Sequence, residues 1–368
     1  MRYYIISGEA SGDLHGSNLM KAIKERDKNA EFRFWGGDLM AAQGGRLVKH
    51  YRELAFMGFL EVLVNIRTII RNLKFCKKDI LKFDPDALIL IDYPGFNLRI
   101  AEYAKENGVE VHYYISPQIW AWKQGRVKKI KRDVKHMYCI LPFEKDFYKK
   151  HHVDVHFVGH PLIDAIENST SIGDFRKVNQ LGGKPIIALL PGSRKQEIAK
   201  MLVVMAKVRS NFSDYQFVIA GAPSQDLAYY KKLVGNEVPV LQDQTYELLR
   251  NSEAALVTSG TATLETALFN VPEVVCYKAN WVSYQIAKLL VKVDYISLVN
   301  LIMKKESVRE LIQNDFNQKN VTSELGSILE DEQKRKEIIQ DYKQLESLLG
   351  GPGASRRTAE LIVSSFTA

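Results

Sequence analysis

Three cysteines in 368 residues, Cys76, Cys139 and Cys276, are too few and too far apart for a disulfide framework or a cysteine-based metal site. No uncharged apolar run reaches the ~18 residues that a membrane-spanning helix needs. Only four apolar residues, Tyr3 to Ile6, precede Ser7, too short a stretch for a signal peptide. G-x-G-x-x-G and H-E-x-x-H are both missing, which removes the dinucleotide fingerprint and the zinc-protease helix. Short-period repeats and low-complexity segments are missing as well. These absences together point to a protein of the reducing cytosol. Acid is in short supply: 43 Asp and Glu face 51 Lys and Arg, a net charge of +8 and a pI near 9.1. That imbalance suggests an anionic partner, whether nucleic acid, a phosphorylated substrate or an anionic lipid surface.

What is present describes a globular chain, with 46% hydrophobic and 26% charged residues. Its length exceeds one ordinary core, so two domains are expected. Apolar strands alternate with helical stretches almost throughout, which predicts parallel α/β sheets. The first series has strands at Tyr3–Ile6, Glu31–Trp35, Ala87–Ile91, Val109–Ile115, His136–Leu141 and Val153–Val158. A polar, Gly-rich stretch over 165–183 reads as a linker. A second series then begins at Pro185–Leu190 and continues through Tyr215–Ala220, Pro239–Leu241, Ala254–Val257 and Glu273–Tyr277. The expected domains are 1–165 and 184–345. Gly350-Gly351-Pro352-Gly353 then sets off a terminal helix within 350–368 that packs back on the first domain or on a partner subunit.

The first strand runs into Ser7-Gly8-Glu9-Ala10-Ser11-Gly12-Asp13, small and polar, where Asp13 or Ser11 can cap the following helix. Loops at the carboxyl end of a first strand are where open α/β sheets bind ligands. Glu9 puts a carboxylate where a pyrophosphate would sit. Asp92 ends the strand Ala87–Ile91, with Tyr93, Pro94 and Asn97 beside it. It is either a general base tuned by partial burial or a helix cap.

In the second half, Thr258-Ser259-Gly260-Thr261-Ala262-Thr263 opens a helix, and its hydroxyls and free N–H groups form an anion site. Glu265, one turn on, can accept hydrogen bonds from a ribose, and Arg194 in a separate strand-end loop can pair with phosphate. Two such loops favour a nucleoside diphosphate. No metal is expected. Asp84-Pro85-Asp86 spells D-x-D but stands at the amino end of its strand, where it reads as a turn. His152, His156 and His160 would share one strand face, with His160 at the functional end, but a fourth ligand is wanting.

Lys123, Arg126, Lys128, Lys129, Lys131, Arg132 and Lys135 cluster behind Trp120 and Trp122. Nucleic acid, anionic lipid and a solvated helix face all fit this cluster, although no recognisable RNA- or DNA-binding module exists. On a helix over Leu54–Lys78, Phe59, Val62, Ile66, Ile69, Ile70 and Leu73 form the expected core face. Phe56, Leu60 and Leu63 form a neighbouring line that Arg67, Arg71, Lys74 and Lys78 continue. With Met57 and Val64, and with Glu61 and Asn65 as the polar interruptions, this is more apolar surface than one core requires. The excess is covered by another domain or subunit, or it meets acyl chains and a bilayer.

Eight segments in order carry a resemblance: SGEASGD (7–13), MGFLEVL (57–63), IDYPGFN (91–97), SPQIWAW (116–122), VGHPL (158–162), LPGSR (190–194), SGTATLE (259–265) and LVNLI (298–302). The chain closely resembles the lipid-A-disaccharide synthases, glycosyltransferases of lipid A biosynthesis, a lipid of Gram-negative bacteria. Tyr93 and Gly95 depart from the pattern, where a smaller residue and often an acid stand. The resemblance implies the GT-B fold, two Rossmann-like domains facing across a cleft. It implies transfer of 2,3-diacylglucosamine from its UDP form to the 6-hydroxyl of 2,3-diacylglucosamine 1-phosphate, with inversion. The products are a β-1,6-linked disaccharide 1-phosphate and UDP. Asp92 is the implied base, with Glu9 and Asn97 as alternates or orienters. Arg194, Ser259, Gly260, Thr261, Thr263, Glu265 and Asn300 would hold the UDP donor without a cofactor. Ser11, Phe56, Met57, Leu60, Glu61, Trp120 and Trp122 would hold the acylated acceptor. The expected setting is the cytoplasmic face of the inner membrane, as a peripheral protein on an anionic surface, with a homodimer left open. An enzyme using unacylated UDP-N-acetylglucosamine and a non-catalytic basic binding protein are the two rivals; a donor assay separates the first, and the second predicts no UDP release and no need for an intact Asp92.

Overall fold

A computed structural model describes residues 1–54, 66–121, 124–171, 173–280, 284–285 and 293–366. The chain divides into two units, Met1–Glu167 with Leu349–Ala368, and Asn168–Leu348. The first unit therefore takes in the chain's last helix, Ala354–Ser364, and the break falls at the start of the expected linker. Asp164 fixes that helix: its Oδ1 accepts the N–H of Gly353 at 2.5 Å and its Oδ2 that of Ser355 at 2.9 Å. A carboxylate there offsets the unpaired N–H groups of a helix start.

The first unit holds seven parallel strands: β1 (Arg2–Ser7), β2 (Glu31–Gly36), β3 (Arg46–His50), β4 (Ala87–Ile91), β5 (Glu110–Tyr114), β6 (His136–Cys139) and β7 (His156–Phe157). Their order is β3-β2-β1-β4-β5-β6-β7. The second unit holds β8 (Ile186–Leu190), β9 (Gln216–Gly221), β10 (Val240–Gln242), β11 (Ser252–Thr258), β12 (Glu273–Tyr277) and β13 (Glu310–Ile312). It repeats the pattern as β10-β9-β8-β11-β12-β13. Helices cover both faces of such sheets, so central strands read as unbroken apolar runs. Tyr3 to Ile6 and Ala87 to Ile91 are accordingly all buried.

Two strands, β3 and β13, went unread because each is a short edge strand whose sequence, RLVKH or ELI, lacks a long apolar run. The expected strand Val153–Val158 shrinks to His156–Phe157, since the chain turns before it with His152 at a φ of +56°. His152, His156 and His160 therefore do not share a strand face.

The helix Ile66–Phe83 is turned differently from its apolar periodicity. Its buried residues are Asn72, Cys76, Asp79 and Ile80, while Ile66 and Ile70 are exposed beside Arg67, Arg71, Lys74 and Lys78. Asp79 decides the rotation. It accepts from the Tyr4 hydroxyl at 2.7 Å and from Arg33 Nε at 2.8 Å, and Trp35 Nε1 donates to the same Tyr4 oxygen at 2.9 Å. A buried carboxylate so completely paired outweighs the burial of two isoleucines. The rest of the expected helix, residues 55–65, lies outside the described residues.

Candidate active site

In each sheet the strand order reverses beside the first strand, and the loops that leave the carboxyl ends there form a crevice. In the first unit the two strands are β1 and β4, whose register places Ser7 opposite Ile91. Gly8-Glu9 and Asp92-Tyr93 therefore leave the sheet side by side.

Asp92 and Tyr93 both hold left-handed backbone, with φ of +42° and +48°. An aromatic residue there is strained and needs several restraints to persist. They are present. Asn97 Nδ2 donates to the carbonyls of Ile91 (3.2 Å) and Asp92 (2.7 Å), and the Tyr113 hydroxyl donates to the Asp92 carbonyl at 2.6 Å. The Asp92 N–H donates to the carbonyl of Tyr114. The Tyr93 ring stacks on Phe96, with centroids 5.6 Å apart. Its other surface faces Gly8, where a Cβ would come within 2.5 Å of Tyr93 Cγ. Only glycine permits that approach.

The Asp92 side chain is exposed at the mouth of this recess yet walled by protein on most sides. Burial, with the Glu9 carboxylate as the second cause, raises its pKa to about 7. Glu9 is half-buried and stands at the residue before the helix Ala10–Arg26. Ser11 is exposed in that helix's first turn. Asn97 is fully buried, so it orients the Asp92 backbone and does not itself face a substrate. Asp13 caps a different helix from the one expected. Its carboxylate accepts the N–H groups of Gly37 (2.7 Å), Leu39 (3.1 Å) and Met40 (3.0 Å), holding the start of the helix Asp38–Ala42.

The second crevice lies between β8 and β11. Thr258 ends β11, and Gly260 precedes the helix Thr261–Leu268. Gly260 has a φ of +147° and a Cβ there would meet nothing within 4 Å, so the first-turn N–H groups open to the surroundings. Thr261 is exposed. Two hydroxyls of the expected anion site are committed internally: Ser259 Oγ donates to the Ile296 carbonyl and Thr263 Oγ1 to the Gly260 carbonyl, both at 2.8 Å. They shape the loop, and the helix start carries no side-chain cap. Arg194 is exposed at the residue before the helix Lys195–Lys207. It stands in the loop that leaves the carboxyl end of β8, the strand beside β11. Burial raises the Glu265 pKa to about 7, and the Tyr246 hydroxyl donates to its Oε1 at 3.5 Å.

Asn300 does not reach this site. It is fully buried, and its Nδ2 donates to the Val308 carbonyl (2.8 Å) and Glu310 Oε1 (2.9 Å), while its Oδ1 accepts from the Val308 N–H (3.0 Å). The expectation of a donor contact gives way to a strut. Glu310, unread in the sequence, accepts the N–H groups of Ile296 and Ser297, each at 2.9 Å. Through the Ile296 carbonyl this network reaches Ser259, so Asn300 braces the anion loop from behind. Nothing local in the sequence signals a bond between positions 300 and 310.

Trp120 is half-buried, edge-on to Phe143 at 4.8 Å, and its indole N–H has no hydrogen-bond partner. His160 is buried against His15, and burial pulls their pKa values down to about 3 and about 4. It is a buried imidazole beyond the end of β7, not one of three histidines on a shared strand face. Phe56, Met57, Leu60, Glu61 and Trp122 lie outside the described residues.

A family model described as Lipid-A-disaccharide synthetase matches residues 3–364. The chain is 39% identical to the lipid-A-disaccharide synthase of Syntrophus aciditrophicus (strain SB), over 98% of this chain and 96% of that protein. It is 40% identical to the lipid-A-disaccharide synthase of Trichlorobacter lovleyi (strain ATCC BAA-1151 / DSM 17278 / SZ), over 99% and 97%. Among solved structures, a UDP-GlcNAc 2-epimerase from Neisseria meningitidis bound to UDP-GlcNAc superposes with a TM-score of 0.69 at 11% identity, covering 99% of this chain and 100% of that one. At that identity the likeness is one of fold. It agrees with the two Rossmann-like α/β units of the GT-B class expected from the sequence.

Proposed function

From the premise that the chain belongs to the lipid-A-disaccharide synthetase family, we propose how its residues divide the work of that reaction. The chain is a glycosyltransferase that forms the lipid A disaccharide. In our reading the donor is UDP-2,3-diacylglucosamine and the acceptor is 2,3-diacylglucosamine 1-phosphate. The acceptor's 6-hydroxyl displaces UDP from the anomeric carbon in one step, with inversion.

The observation that carries the reading is the Asp92 carboxyl, raised to about 7 beside Glu9 at a sheet's switch point. A base poised near neutrality combines a useful ionised fraction with enough basicity to take a hydroxyl proton. Asp92 takes that proton as the new C–O bond forms. Asn97 and Tyr113 hold its backbone. Ser11 and Trp120 bind the acylated acceptor in this reading. The first-turn N–H groups at Gly260 and Thr261, with Arg194, stabilise charge on the departing UDP. Glu265 meets the ribose. Incubating the protein with both lipid sugars tests the whole reading: it requires UDP and disaccharide 1-phosphate in equal amounts. Turnover of unacylated UDP-N-acetylglucosamine alone would reject it.

Glu9 provides a pH test. Its negative charge raises the Asp92 pKa, so Glu9→Gln lowers that pKa and moves the acid limb of the rate profile to lower pH. A limb unmoved in Glu9→Gln takes the rate-governing ionisation away from this pair.

The protein also meets an anionic membrane surface as a peripheral protein. Ile66, Ile70, Phe75 and Leu81 are exposed large apolar residues on one helix, interleaved with the exposed Arg67, Arg71, Lys74 and Lys78. Apolar burial plus attraction to lipid phosphate is how an interfacial helix binds. Arg67→Glu with Arg71→Glu therefore weakens binding to anionic vesicles, and added salt mimics the loss. Ile70→Ser weakens it at every salt concentration. Vesicle binding unchanged by all three substitutions moves the membrane face elsewhere.

A further inference from the structure

At the amino ends of β5 and β6, opposite to the end that carries Asp92, three ligating side chains converge on one point. His112 and His136 are direct neighbours across the two strands, and Glu110 lies two residues before His112 on the same face. Glu110 Oε1 is 3.3 Å from His112 Nε2 and 3.3 Å from His136 Nε2. All three atoms lie within 4.8 Å of one another, and they are buried without a hydrogen-bond partner. Two ligands at about 2.0–2.1 Å from a tetrahedral zinc ion stand about 3.3–3.4 Å apart, which is the spacing of Glu110 Oε1 from each imidazole nitrogen.

The surroundings prepare these atoms as ligands. His112 is fully buried, and its Nδ1 is 2.9 Å from the Tyr138 hydroxyl. The tautomer whose Nδ1–H donates to the Tyr138 oxygen leaves Nε2 as the acceptor that a metal needs. Lys135 Nζ holds the other Glu110 oxygen, Oε2, at 2.5 Å and so fixes the carboxylate with Oε1 turned inward. Phe366 closes one side against the His112 ring at 5.7 Å. His136 and Glu110 keep partial exposure, which leaves a way in.

We propose that Glu110 Oε1, His112 Nε2 and His136 Nε2 form a divalent transition-metal site, best matched to zinc, with water in the fourth position. Two imidazoles and one carboxylate suit zinc and its first-row neighbours and not magnesium or calcium. The ion ties β5 to β6 and stabilises the first unit; it takes no part in sugar transfer.

The test uses untagged, chelator-stripped, full-length protein titrated with Zn²⁺ by calorimetry and with Co²⁺ by absorption. One tight equivalent is expected, with the strong visible bands of four-coordinate cobalt. Glu110→Gln and His136→Asn each weaken Zn²⁺ binding by at least about 100-fold, and Tyr138→Phe weakens it by about 10-fold. His152→Asn leaves it unchanged. Zn²⁺ raises the Tm of the native protein and not that of His136→Asn. His136 is partly exposed, so this variant keeps its fold if the site is as described, which circular dichroism checks. Absence of saturable binding, or equal binding and equal Tm gain in His136→Asn, overturns the proposal. So does loss of turnover on stripping the metal from a protein that stays folded, since the ion would then act in the chemistry.

Discussion

Asp92→Asn lowers turnover by ~10²–10⁴-fold while the fold and the affinity for UDP persist. The amide keeps the size and the strained backbone of the native residue but cannot accept the hydroxyl proton. The carboxyl it replaces is the one that burial and Glu9 together raise to about 7. The loss should fall on kcat with little change in donor KM, because the residue acts on the acceptor as the bond forms. Steady-state rates with saturating lipid substrates measure it, and circular dichroism and UDP titration check fold and binding. Near-normal turnover would take the base role from Asp92 and pass it to Glu9.

Gly8→Ala should be nearly as damaging without touching a charged group. A Cβ at position 8 meets Tyr93 Cγ at 2.5 Å and both Cδ atoms at 2.6 and 2.8 Å. The ring cannot retreat freely, since Phe96 is stacked on it. Tyr93 must therefore shift, and Asp92 is bonded to it. Displacing a catalytic group by about 1 Å costs on the order of 10²-fold, and overpacking adds about 1–3 kcal/mol of destabilisation. Gly95→Ala is the matched control, because a Cβ there meets nothing within 4 Å. Equal activities in the two variants would show that the contact between Gly8 and Tyr93 does not position Asp92.

Much of the site is legible before any fold is known. Asp92 stands out because a charged residue directly after five apolar ones marks a strand's carboxyl end, and Glu9 because it is the acid in the small polar loop that follows Tyr3–Ile6. Gly260 and Arg194 stand out because each lies in a small, polar loop that follows an apolar run in the second half. Thr263, Asn300 and Asp13 look equally polar and equally well placed in the sequence, yet the fold uses each internally. Whether a polar side chain faces a ligand or a neighbouring N–H depends on a partner that is distant in the chain. The helix Ile66–Phe83 misleads in the same way: counting apolar residues cannot anticipate that Asp79 has Tyr4 and Arg33 waiting for it.

The sequence by itself determined the alternation of strands and helices, the parallel class of the sheets, the strand-end loops and the family. Those follow from residue period, from buried runs and from short motifs, all of which act over a few residues. Tertiary structure alone decided strand order, and with it which loops share a crevice. It decided that Asp92 is walled by protein and lies near Glu9, 83 positions earlier in the chain, and burial first and Glu9 second raise its carboxyl toward neutrality. It also set Glu110, His112 and His136 around one point, where the sequence pointed to no metal. Parallel strands are joined by long crossovers, so groups that share an electrostatic environment stand tens of residues apart. A pKa or a ligand set belongs to that environment and not to any stretch of chain.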